Sequence, residues 1–530
     1  MLLSVVFSTF VLLELAAAAP NPKAKQLEDC VAKALIGNDI QTRIQTPADS
    51  TYEDARIGAI IKPEFPAMIA FATQINEVAP LIKCASKNGF QAVPRSGRYH
   101  FEGWSALNGS LIIDVSHINN ITVSKDLQTA VIGAGANLGQ IYTTLSTYGK
   151  TFLGGICPSV AIGGYLGAGG YNLQQRQLGL AVDQIVSFKV VVASGDLLTV
   201  SPTQHPDLWW AARGGGTFGI IVGTTVKILT LPRSAMVAAF YPNKTTRYDV
   251  VKTYLDWAPK QVPEFTSQLN VYNNRTHLMG WYLGGTTEQL QQIMEESGLL
   301  DIPDAKVSIT GDCSTENSRM FWLAPQTTCT NDEEAYDAFL TAYNTVPIHL
   351  TPIEPQFRLE NVPALPSEPT AHLWPRFGVI SKTYFTLKSK PLSDAALAEF
   401  IDQTGALADE VGFWGEWTSF NISAPPTTSA FPWQEDASTL MRMEVASGHD
   451  SQAYVQNRGW MNNFDKFFRP EVGTASYSGY IDADLSVNPY TAYYGNNVCR
   501  LVEVKRAYDP ENFFRNPFSI PTSTPAGFSC

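Results

Sequence analysis

The sequence predicts an α+β fold with more than one domain, and three observations lead there. From Gln41 to about Lys227, short apolar runs alternate with amphipathic segments. From Pro232 to about Ala475, aromatic-rich strands and helices follow. From Asn497 to Tyr508 a compact helical pattern returns before Asp509-Pro510. At 530 residues, 45% of them hydrophobic, the chain is long enough for roughly two or three domain cores.

Taken in order, the chain opens with Met1–Ala19, an apolar stretch that ends in small residues before Pro20. That is a secretory signal pattern, too short for a bilayer span, although it lacks a basic start and Glu14 interrupts it. A retained membrane anchor is the alternative. Next, Met68, Phe71, Ile75, Val78 and Ile82 recur at helical spacing. They predict one helix between Pro66 and Asn88, kinked or ended early by Pro80. Strand-like runs at Gln91–Pro94, Ser110–Val115, Thr129–Ile132, Ile185–Val192 and Leu197–Val200, with a helical stretch at Leu138–Tyr148, supply the α+β mixture. Proline-rich loops are expected at Pro352–Pro369 and Pro425-Pro426.

Charged residues make up 16% of the chain and the net charge is -12. So sparse and acidic a surface argues against nucleic acid or anionic membrane as partner. The histidines, among them His117, His205, His277 and His449, are scattered without ligand spacing, so no metal centre is expected. Asn108, Asn120, Asn243, Asn274 and Asn421 each begin an N-x-S/T glycosylation triplet. The cysteines are Cys30, Cys84, Cys157, Cys313, Cys329, Cys499 and Cys530, an odd number that leaves one thiol over. Cys30 with Cys84, Cys313 with Cys329 and Cys499 with Cys530 are candidate pairs, though spacing alone does not fix connectivity.

Cys157 lies in Gly154–Asn172, G-G-I-C-P-S-V-A-I-G-G-Y-L-G-A-G-G-Y-N. Glycine pairs at Gly163-Gly164 and Gly169-Gly170 let backbone N–H groups approach a ligand. A glycine-rich turn around a buried cysteine is the plainer reading. Gly133-Ala134-Gly135-Ala136-Asn137-Leu138-Gly139 sits one residue off the dinucleotide fingerprint, and the acidic residue expected about 20 positions on is missing. It reads as a structural turn.

Four segments occur in a telling order: Pro94–Gly103 (P-R-S-G-R-Y-H-F-E-G), the Cys157 stretch, Trp209–Ile220 (W-W-A-A-R-G-G-G-T-F-G-I), and Tyr493–Asn497 running on to Tyr508-Asp509-Pro510. Together they resemble the FAD-linked oxidases of the berberine bridge and glucooligosaccharide oxidase type, which have a p-cresol methylhydroxylase-like flavin-binding fold. The resemblance implies a signal peptide over 1–19 and a two-part FAD-binding domain at 20–232 and 475–530. An inserted antiparallel-sheet substrate domain would occupy 233–474. Arg95, Ser96, Gly97, Tyr99 and His100 would line the FAD, with the Ser96-Gly97 N–H groups on its pyrophosphate. Cys157 would form a thioether to flavin C6. Gly163, Gly164, Tyr165, Gly169 and Gly170 would lie against the cofactor, Gly219 and Ile220 would line its adenine and ribityl side, and Asn497 would complete the site. The family has S-G-G-H where this chain has S-G-R-Y, so Tyr99 stands at the position of a flavin-linked histidine and His100 one place along. A single covalent link, through Cys157, is therefore expected.

Tyr477–Asp482 resembles the family's N-Y-x-D segment, which makes Tyr480 the base that takes a substrate hydroxyl proton while hydride goes to flavin N5. A free phenol has a pKa of ~10, so Tyr480 needs a tuning neighbour. The resemblance implies an acidic partner on a substrate-domain strand, here Trp414–Thr418 (W-G-E-W-T), without fixing which residue it is. Trp433, Trp417 and Tyr493 are candidate substrate platforms, with a core role as the plainer reading. The expected protein is a secreted, extracellular, glycosylated monomer. It would oxidise the reducing-end C1 of oligosaccharides to lactones and pass electrons to O2 or another acceptor. Oxidation of a secondary metabolite, or a catalytically lapsed carbohydrate-binding protein, are the alternatives.

Overall fold

The computed structural model describes residues 22–313 and 378–530, apart from 61, 147, 158, 409–410, 425–427 and 449. The leader, Cys329 and both proline-rich loops fall outside the described residues. The observed architecture is α+β, with three sheets.

The first sheet holds β1 (Ile44–Gln45), β2 (Met68–Phe71), β3 (Ala92–Arg95) and β4 (Leu111–Asp114) in the order β1-β2-β4-β3. Strands β2, β4 and β3 run parallel. The helix expected across Pro66–Asn88 is in fact a strand followed by a helix. Met68-Ile69-Ala70-Phe71 is a continuous apolar run, which suits a buried parallel strand. Glu77 accepts the Gln74 N–H in a capping box, and the helix Ile75–Asn88 starts there. It continues through Pro80 and closes at Gly89, whose φ of 74° suits glycine.

The second sheet is antiparallel: β5 (Ile121–Val123), β6 (Thr129–Gly133), β7 (Ile185–Val191), β8 (Leu197–Val200) and β9 (Ile220–Lys227), in the order β5-β6-β9-β7-β8. Its core joins Ile132 and Phe188 to Phe385, Phe431, Tyr493 and Leu501 from much later in the chain. Gly133 and Gly135 serve close packing, because a Cβ at either would lie 2.2 Å from a backbone carbonyl oxygen.

The third sheet has seven antiparallel strands: β10 (Ser234–Tyr241), β11 (Phe265–Tyr272), β12 (Thr276–Leu283), β13 (Lys306–Cys313), β14 (Gly378–Leu387), β15 (Gly412–Ser419) and β16 (Ala437–Gly448). Their order is β13-β10-β12-β11-β15-β16-β14. Side chains alternate between its faces. Phe413, Trp417, Met441 and Met443 pack with Phe400 and Phe464 from the helices Asp394–Gly405 and Ser451–Val472. Trp414, Glu416, Arg442 and Glu444 hold the alternate positions, on the face toward Tyr171 and Tyr480.

Disulfides join Cys30 to Cys84 and Cys499 to Cys530, as two of the candidate pairs had it, and Cys157 is a free thiol. Among the described residues no helix is long and apolar enough to cross a membrane, and no cluster could hold a metal ion.

Candidate active site

Tyr480 ends a short 3-10 turn, Ser478–Tyr480, that is pinned from several sides. The Tyr477 N–H donates to Thr383 Oγ1 at 3.0 Å, and the Tyr477 hydroxyl accepts the Gly170 N–H at 3.1 Å. Beyond the turn, Asp482 makes a 2.5 Å ion pair with buried Lys382, and its N–H donates to the Tyr493 hydroxyl. Tyr480 is therefore presented by a segment anchored in two cores.

Its hydroxyl accepts a hydrogen bond from Arg442 Nη1 at 2.6 Å and shares another with the Tyr171 hydroxyl at 3.0 Å. The Arg442 guanidinium lies 4.6 Å from the Tyr480 ring centroid. Phe101 meets that ring edge-on at 4.9 Å. Tyr171 in turn donates to Glu416 Oε1 at 3.5 Å, and Thr418 Oγ1 donates to the same oxygen at 2.9 Å. Burial pushes the Tyr480 phenol up to about 12, while the Arg442 charge pulls the other way.

Cys157 is half-buried beside the same charges. Burial pushes its thiol up to about 11, against the pull of Arg442. Around it lies the segment that opens at Arg95. Arg95 forms a buried 2.5 Å ion pair with Asp114, and its Nη2 is buried without a hydrogen-bond partner. Gly97 is so close to Ala161 that a Cβ would lie 2.6 Å from the Ala161 nitrogen. The Tyr99 hydroxyl is hydrogen-bonded to Ser159 Oγ. His100 Nδ1 accepts the Glu102 N–H at 3.2 Å, and burial, with the nearby Lys62 charge, lowers its imidazole to about 4. Glu102 clamps this loop to the rest, through Lys62 at 3.1 Å and the Ala483 N–H at 3.2 Å.

These residues fit an FAD. Gly164 faces open space, with nothing within 4 Å of where its Cβ would stand, and Gly163 lies beside Ser96 Oγ. An unfilled glycine surface beside Ser96 Oγ, in the same segment as the free Cys157 thiol, suits a flat anionic cofactor. Other expected positions have packing roles. At Gly169 and Gly170 a Cβ would strike Phe431 and Ala181, respectively. Tyr165 donates to the Tyr171 carbonyl at 2.7 Å, and Asn497 donates to the Ala430 carbonyl at 3.1 Å. Gly219 lies against the Val191 carbonyl, and the Ile220 side chain is buried in the first core.

Of the three aromatic platforms, Trp417 and Tyr493 prove to lie inside cores, while Trp433 is half-buried. Trp417 is fully buried on the helix side of the third sheet, 4.8 Å from Phe400, because it has the wrong strand parity to face Tyr480. Tyr493 is buried and its hydroxyl accepts the Asp482 N–H. Trp433 packs against Gly495 and Phe385, and its indole N–H donates to the Ala492 carbonyl. The residues that sequence reasoning missed are Tyr171, Arg442, Glu444 and Phe101. The readable signal was Arg442 and Glu444, opposite charges two apart in the apolar run L-M-R-M-E-V.

Comparison with known proteins agrees with this geometry. Residues 66–201 match the family described as FAD binding domain, and residues 476–521 the family described as berberine and berberine like. FAD-linked oxidoreductase pynB of Aspergillus niger is 46% identical over 522 residues, covering 97% of this chain and 96% of the relative. The solved structure of Physcomitrella patens BBE-like 1 superposes with TM-score 0.79 at 23% identity, over 94% of this chain and 99% of that one. Xylooligosaccharide oxidase from Myceliophthora thermophila, in complex with xylobiose, shares the fold with TM-score 0.74 at 20% identity, over 93% and 99%. The chain belongs to the berberine bridge enzyme-like family of FAD-linked oxidoreductases.

Proposed function

We propose that this oxidoreductase oxidises a hydroxyl-bearing carbon, with Tyr480 taking the hydroxyl proton. One observation carries the reading: the hydroxyl of half-buried Tyr480 is held between Arg442 Nη1 at 2.6 Å and Tyr171 at 3.0 Å. When bound, FAD supplies the acceptor for the hydride that leaves the same carbon, so carbinol becomes carbonyl plus one proton, taken by Tyr480, and one hydride. Arg442 stabilises the phenolate, Tyr171 steadies its oxygen, and Glu416 accepts from Tyr171.

Attachment through Cys157 alone fits the free thiol, and the Tyr99 hydroxyl and His100 Nδ1 are both engaged within the protein. With Trp417 and Tyr493 inside cores, the site suits a compact hydroxylated organic molecule such as a secondary metabolite. The reducing end of a short sugar is the second reading. It is supported by the xylobiose-bound oxidase of the same fold and by the polar row Glu416, Arg442 and Asn270. Electrons pass to O2 or another acceptor. An extracellular location is supported by the apolar leader and two disulfides. The test is anaerobic mixing of the yellow holoprotein with hydroxylated aromatics and with cello- and xylo-oligosaccharides. Bleaching by one panel identifies the substrate class, and persistence of colour with every hydroxylated donor would refute carbinol oxidation.

A further inference from the structure

Strands β11, β15 and β16 bring another group to the base. In the β11–β15 register Asn270 faces Glu416 and Tyr272 faces Trp414. In the β15–β16 register Glu416 faces Arg442 and Trp414 faces Glu444. Trp414 is thus diagonal to Asn270 on one side and to Arg442 on the other, within reach of both on the same sheet face. Asn270 Oδ1 accepts the Trp414 indole N–H at 2.8 Å. The guanidinium of Arg442 lies 4.1 Å from the Trp414 ring centroid and 4.6 Å from that of Tyr480, layered between two aromatic rings. Its carboxylate contacts are looser. Glu444 Oε1 is 3.2 Å from Nε without hydrogen-bond alignment, and Glu416 Oε2 is 3.7 Å from Nη2. The rings, more than the carboxylates, set the plane of the guanidinium and so the aim of Nη1.

We propose that Trp414, held by Asn270, is a positioning residue that aims Arg442 at the Tyr480 hydroxyl. The inference rests on the reading of Tyr480 as base. Without the indole, Arg442 is free to turn toward Glu444, and the phenol loses its nearest cation. The ionisable groups around that phenol are Arg442 and Glu444 on β16, Glu416 on β15, and Tyr165, Tyr171, Tyr477 and Cys157.

The test is a pH titration of full-length holoprotein carrying fluorotyrosine, followed by fluorine NMR, with the Tyr480 resonance identified by its loss in Tyr480→Phe. Trp414→Leu should lower about tenfold the fraction of Tyr480 ionised at a fixed alkaline pH within the range where the fold survives. Trp414→Phe keeps a ring under the guanidinium and should stay within about twofold of the unaltered protein. Asn270→Leu should fall between them, and it carries the test if Trp414→Leu does not fold. An unmoved titration in Trp414→Leu, or in Asn270→Leu when it stands alone, overturns the proposal. Failure of the underlying reading looks different: Tyr480→Phe would then reduce its flavin with the best donor as fast as the unaltered protein, whatever the titrations show.

Discussion

Two arginines, Arg43 buried and Arg442 largely so, live in opposite circumstances. Arg43, against the first sheet, makes a 2.6 Å ion pair with Glu77 and donates to the carbonyls of Phe71 and Ile36 at 2.9 and 2.8 Å. Glu77 also accepts from the N–H groups of Ile36, Thr73 and Gln74. Arg442 faces two carboxylates at 3.2 and 3.7 Å, leaves Nε and Glu444 Oε1 without hydrogen-bond partners, and spends its one strong bond on a phenol. The first pair is closed, and removing either partner strands a charge. The second is left open toward an ionisable oxygen. Incomplete satisfaction in a buried cluster is the mark of chemistry rather than of scaffold.

Substitutions should separate the two. Tyr480→Phe should slow anaerobic flavin reduction about a thousandfold in stopped flow while barely moving the melting temperature, because only the proton acceptor is lost. Glu77→Leu should do the reverse. We expect about 3–5 kcal/mol of lost stability in denaturant unfolding, with the surviving folded fraction fully active. A Glu77→Leu protein of normal stability would break the contrast.

Acid stability sharpens it, since the two carboxyls shift in opposite directions. Burial alone would raise Glu77, but Arg43 and the surrounding N–H groups together hold it below its ordinary value. Its contribution is present above the unfolded pKa and lost as pH falls through the folded one. Glu444 is raised by burial, which outweighs Arg442. Its protonated form favours the fold at low pH, and that advantage fades as pH rises past the ordinary carboxyl value. Glu77→Gln should therefore flatten the acid side of a melting-temperature profile, whereas Glu444→Gln should raise stability near neutrality. The smallest effect concerns the glycosylation triplets. The Asn421 amide donates to the Pro259 carbonyl at 2.8 Å, while Asn120 and Asn274 are exposed. Peptide mass spectrometry of protein made through a secretory pathway should find Asn421 bare and the other two modified.

The parts legible in the sequence were local. Cys157, Tyr480 and Glu416 sit in recognisable short segments, and the structure brings all three to one place. What stayed hidden depends on pairing between distant strands. Arg442 meets Glu416 through the β15–β16 register, and Tyr171 reaches Tyr480 across 309 positions of chain. Trp417 reads as a platform from the sequence, yet it is Trp414, three residues away in the same strand, that takes the face toward Arg442. The run from Met68 to Ile82 reads as one helix because a continuous apolar strand running into an amphipathic helix imitates a single period.

The second core takes Ile132 and Phe188 from one end of the protein and Tyr493 and Leu501 from the other. During synthesis the core beside the Cys157 stretch stays open until the residues up to Leu501 have emerged. A synthesis halted before Leu501 therefore leaves an apolar seam of this core uncovered.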